Sequence, residues 1–201
     1  MWIMQPELQE WANQIFGHSG AVCPSDESTL ARLAEVFENA AILLNPYQDV
    51  TLNQVFWDLP ATAFLGLKNE NISWPIRHRL IESFEPLFRD FFAARCKPVL
   101  GHLSEEGTPL NSACYMWWDF DCWVATKHPL PQNPMDSTFL ASMRSILRIG
   151  HAACQESALH GLGHWHWAHA AAVEEIIDEF LNREPGRLRD YAMAARCGCV
   201  Q

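Results

Sequence analysis

The stretch ESALHGLGHWHWAHAAAVEEIIDEFL, residues 156–181, decides the fold class. In its second half Val173, Ile176, Ile177, Phe180 and Leu181 recur at helical spacing, while Glu174, Glu175, Asp178 and Glu179 occupy the opposite face. Apolar residues three and four apart mark an amphipathic helix with one buried stripe. The first half is denser. His160, His164, His166 and His169 are four of the chain's nine histidines, interleaved with Gly161, Gly163, Trp165 and Trp167. The pattern predicts a helix from about Ala152 to Trp167, a tight turn, and a second helix from about Ala170 to Asn182.

Outward from this stretch, nearly every segment carries the same period, and no strand is expected. Toward the N-terminus the spacing predicts helices over Pro6 to Phe16, from a cap at Ser25 or Asp26 through Leu44, and from Thr51 through Ala63 with a break at Pro60. A long stripe from Ile76 to Phe92 starts with Pro75 in its first turn and should kink at Pro86. Thr108-Pro109 opens LNSACYMWWDFDCWVA, residues 110–125, read as one helix. Asp136 or Ser137 caps a helix ending at Gly150, and a last helix spans Leu188 to Cys197 with Gly198 as its C-cap. The fold class is therefore all-α, with about nine helices in a single domain over residues 1–201.

The short-helix, turn, amphipathic-helix order of residues 152–183 resembles a HEAT-like repeat. That family's first helix carries an Ala-Leu-x-x-Leu-Gly pattern, matched by Ala158, Leu159, Leu162 and Gly163. Its second carries Ala-Val followed by an apolar pair, matched by Ala172, Val173, Ile176 and Ile177. The resemblance covers about 30 residues and departs from the pattern at His160, His164, Trp165, His166 and Trp167. It implies an irregular α-α superhelix that presents a groove to a partner, and it implies no activity.

Composition narrows the function classes. The net charge is −10, from 14 Lys+Arg against 24 Asp+Glu, with no basic run. Binding nucleic acid or an anionic membrane needs a basic face, so neither is expected as a partner. The segment MWIMQPELQEW lacks the layout of a signal peptide, no long apolar run suggests a membrane span, and seven cysteines show no repeating frame. The chain thus reads as cytoplasmic with reduced thiols. Nine Trp and eleven Phe against three Tyr suit either packed helix interfaces or a ligand groove.

Chemistry is most concentrated around the histidines. Residues four apart on a helix share a face, drifting by about 40° per step, so Glu156, His160 and His164 stack on consecutive turns. A carboxylate and two imidazoles are the donors of a 2-His-1-carboxylate iron site or an open zinc site. The zincin signature is absent, because Gly161 stands where its Glu would be. If the 110–125 and 152–167 helices lie side by side, Tyr115, Asp119 and Cys122 face this trio. Against a site stand the ordinary uses of such histidines, which cap carbonyls or stack on Trp165 and Trp167.

Two functions follow as expectations. The first is a non-enzymatic repeat protein that binds a protein partner through an acidic and aromatic groove of Tyr115, Trp118, Asp119, Cys122, His160, His164, Trp165 and Trp167, such as an immunity-type neutralising protein, with no cofactor. The second is a small metalloenzyme of hydrolase or oxygenase type holding one divalent metal, Zn or Fe, at Glu156, His160 and His164. A HEAT-like DNA-binding enzyme is disfavoured by the missing basic face.

Overall fold

The computed structural model describes residues 6–18, 20, 23–119, 125, 133–183 and 186–200. These residues are all-α, with no strand among them. The helices are α1 (Pro6–Phe16), α2 (Glu27–Glu38), α3 (Ala40–Leu43), α4 (Asp49–Asp58), α5 (Trp74–Glu82), α6 (Phe84–Leu87), α7 (Ala93–Arg95), α8 (Pro109–Tyr115), α9 (Pro134–Ile146), α10 (Ala152–Leu181) and α11 (Arg189–Arg196). None of the described helices is long and apolar enough to cross a membrane.

Local chemistry sets most boundaries. Asp26 caps α2 by accepting from Thr29 N–H at 2.8 Å, and α2 gives way to α3 at Asn39. Pro86 has no N–H to offer the carbonyl of Glu82. There the long stripe breaks at Ser83, between α5 and α6, then continues through one π-helical turn, Phe88–Phe92, into α7. Two expected boundaries move. The cap of α9 is Asn133, whose side chain accepts from Asp136 N–H at 3.1 Å, with Pro134 in the first turn. Asp136 is inside, only 1% exposed. The helix expected over 110–125 ends early: α8 tightens after Tyr115 into a 3-10 turn, Met116–Trp118, and Asp119 leaves helical geometry. Residues 120–124, including Cys122, lie outside the described residues.

The aromatic content is core. Phe37, Phe56, Phe64, Phe84, Phe88 and Phe92 place their ring centroids 5.3–6.1 Å from that of Trp117, mostly edge-on. Edge-to-face packing matches the positive rim of one ring to the negative face of the next. Trp118 extends this cluster to Phe139, and Phe139 meets Trp165 at 5.4 Å.

The decisive stretch forms an αα-hairpin. His169 has φ −134° and ψ 44°, outside helical values, and divides α10 into two arms, 152–168 and 170–181. Before that residue, Trp165 meets Phe139 and Gly161 meets Met143, so the first arm runs antiparallel to α9. After it, His169 pairs with Asp136, while Glu175 and Glu179 both bind Arg144, so the second arm runs parallel to α9. His166 Nε2 also lies 3.4 Å from Glu174 Oε1. Along an unbroken helix those residues would be about 12 Å apart in rise. α11 packs across α10 and ends in a Schellman motif: Gly198, at φ +68°, donates to Ala195 O, and Cys199 donates to Ala194 O.

Candidate metal centre

The hairpin's first arm packs on α8 and α11, and their side chains meet around His160. Close approach depends on glycine. A Cβ on Gly161 would sit 2.6 Å from Cβ and Cγ of Trp118, so only glycine lets the Met116–Trp118 turn press onto α10. Asp119, the next residue, is thereby brought to His164. A Cβ on Gly163 would likewise strike Val200 at 2.5 Å, so the C-terminal segment lies against the same arm.

The resulting cluster is compact. His160 Nε2 and His164 Nε2 are 3.1 Å apart, and His164 Nε2 lies 3.3 Å from Asp119 Oδ1. One donor atom from each of Asp119, His160 and His164 falls within 4.8 Å of the others, the one such set of three His, Cys, Asp or Glu found among the described residues. Donors about 2.0–2.2 Å from a common metal, at angles between octahedral and tetrahedral, are about 2.8–3.6 Å from one another. The two closest separations fall in that range. They also suit a proton shared between the rings.

Burial is graded across the trio. His160 is fully buried, whereas the side chains of His164 and Asp119 are 37% and 38% exposed. The centre therefore opens to solvent on one side. Burial, and secondarily the neighbouring His164, push the His160 pKa down to about 4, so this imidazole is neutral at physiological pH. Its other nitrogen, Nδ1, is 2.8 Å from Tyr191 Oη, and Tyr191 Oη is 3.2 Å from Tyr115 Oη. Burial raises both tyrosines above the ordinary phenol value, which keeps them as O–H groups.

Glu156 does not join this set. Its carboxylate accepts from Gly101 N–H at 2.7 Å, from His102 N–H at 2.9 Å, and pairs with His102 Nδ1 at 2.5 Å. Helical spacing alone put Glu156 on the histidine face. Buried at 1% exposure, it is instead held by a loop whose donors it alone satisfies in this group of contacts. The carboxylate beside the two histidines is that of Asp119.

The remaining expected residues divide. Tyr115 is half-buried against His160, with ring centroids 4.7 Å apart. Trp118 and Trp165 are 2% and 3% exposed and belong to the core. Trp167 is exposed at 54%, one turn past His164. His102 and Tyr191 were not legible as site residues: they come from a loop and the last helix, and nothing in the spacing ties either to His160. Cys154 and Cys114 are fully buried, and only Cys197 and Cys199 among the described cysteines are exposed.

No protein-family model, curated protein or solved structure matches this chain. A groove of about 540 Å³ lies elsewhere, between α5 and α9, lined by His78, Glu82, Glu85, Ser142 and Arg148 among others. In it His78 pairs with Glu82, and Glu85 with Arg89. Size alone does not outweigh a converging donor set.

Proposed function

We propose that this protein is a metalloprotein in which Asp119, His160 and His164 hold one divalent transition metal, and that the centre is hydrolytic. The observation that carries this reading is the convergence of three donor atoms within 4.8 Å, with the remote nitrogen of the buried histidine already hydrogen-bonded. Histidines that bind metals characteristically donate their second N–H to a fixed partner, and Tyr191 supplies one. Three protein donors leave positions for water and substrate. A bound Zn²⁺ lowers the pKa of its water to about 7, which makes a nucleophile at neutral pH. The half-exposed mouth favours water activation over oxygen chemistry, whose reactive intermediates need a closed site.

The test is metal content by inductively coupled plasma mass spectrometry on tag-free, dialysed protein. One zinc per chain is expected, lost in His164→Ala and in Asp119→Ala with helicity intact by circular dichroism. Iron in place of zinc would move the centre to oxygenase chemistry, and a metal-free wild type that also refuses added zinc would contradict it.

A second reading, binding of a basic protein partner, draws on the net charge of −10 and on exposed Trp167 beside the centre. With Trp118 and Trp165 in the core, that reading rests on Tyr115 and Trp167 as its accessible aromatic residues. The α10 hairpin supports a HEAT-like interpretation of residues 152–183. A partner recovered by low-salt pull-down with wild-type protein but not with Trp167→Ala would favour this reading.

A further inference from the structure

We propose that Tyr191 is a positioning residue for this centre, setting the tautomer of His160; the inference rests on the metal reading above. Proton directions follow from the groups along the chain of contacts. Asp119 offers a carboxylate, which accepts, so the His164 Nε2 facing it at 3.3 Å carries the proton. Two N–H groups pointed at each other across 3.1 Å would repel, so His160 Nε2 presents its lone pair there. A neutral imidazole has a single N–H, which then lies on Nδ1 and is donated to Tyr191 Oη at 2.8 Å. Tyr191 passes its own hydrogen to Tyr115 Oη at 3.2 Å. His160 is thus held with its lone pair toward Asp119 and His164, the form a metal requires, whereas the part-exposed His164 would have to move its proton from Nε2 to Nδ1 as the metal binds.

Tyr191 is itself fixed. It is 8% exposed, and the His102 imidazole stacks on its ring at 4.2 Å between centroids with planes 17° apart. His102 is tied to Glu156 through both its backbone N–H and its ring. The buried carboxylate that helical spacing placed among the ligands therefore anchors the stack behind them.

Tyr191→Phe keeps the ring and its stacking and removes only the hydroxyl. The tautomer is read by ¹⁵N shifts of the His160 side chain in metal-free protein. Wild type is expected as the Nδ1–H form, with the Nε2–H form gaining population in Tyr191→Phe. Zinc affinity, measured by chelator competition, is expected to fall about 10–100-fold, the usual effect of removing such an outer partner. Tyr47→Phe, which removes a phenol hydroxyl bonded to Asn13 away from the centre, should keep both readouts near wild type. A merely structural tyrosine would lower stability without moving the tautomer, and an unchanged tautomer overturns the proposal. If Tyr191→Phe fails to fold, an Nε2–H form in wild type overturns it equally. Failure of wild type to bind zinc would instead remove the metal reading, because the tautomer is measured without metal.

Discussion

Single residues decide whether the centre forms. Gly161 costs helix propensity, about 1 kcal/mol relative to alanine, yet its hydrogen is all that separates α10 from Trp118. Gly161→Ala should lose more to the clash than it gains, with a net destabilisation of about 1–3 kcal/mol. It should also displace Asp119 and weaken zinc binding; urea denaturation and chelator competition check the two effects. His160 makes a pH prediction for the metal-free protein. An unfolded histidine takes its proton near 6.5, whereas the folded one resists it down to about 4, so the folded state binds fewer protons in that window. Stability is then highest above pH 6.5 and falls as pH drops toward 4, by on the order of 3 kcal/mol from this residue. The groups facing it are His164, Asp119, Tyr115 and Tyr191. His160→Gln should lack that part of the slope, and superimposable pH profiles would contradict the assignment.

Among the elements, the hairpin of α10 is held at its turn by one buried polar contact. His169 Nε2–H donates to Asp136 at 2.8 Å, and both side chains are nearly inaccessible. Asp136→Ala leaves the imidazole buried without that acceptor, a loss of about 1–3 kcal/mol. Hydrogen exchange should speed up selectively around residues 165–173. Equal exchange in variant and wild type would mean the turn is held by packing alone. This element was largely legible in the sequence, since the apolar stripes and the change of pattern at His169 announced two helices and a turn. The cap of α9 was not, because Asp136 resembles a capping residue by type and only the tertiary contact with His169 shows it is needed inside. The early end of α8 was hidden for a similar reason. Trp117 and Trp118 are adjacent, and burying both requires the tighter turn that a helical period does not describe. The candidate site was legible only in part: i, i+4 spacing pairs His160 with His164, but choosing between Glu156 and Asp119 depended on where the loop at Gly101 lands.

For the whole molecule, the aromatic residues build a core around Trp117 and leave the Asp119, His160 and His164 cluster at one solvent-facing edge. Trp117→Ala would open a cavity among six phenylalanine rings and cost about 3–5 kcal/mol. Domains of this kind typically hold about 5–15 kcal/mol in total, so the variant should unfold at markedly lower denaturant or not accumulate folded. Wild-type-like stability would show that the cluster contributes less than its burial implies. The measurement that bears most directly on the central claim is anomalous diffraction at the zinc edge from crystals of the tag-free protein. A single peak about 2.0–2.2 Å from His160 Nε2, His164 Nε2 and an oxygen of Asp119 is the predicted result. Zinc seated on other residues, or no peak there after soaking with zinc, would contradict it.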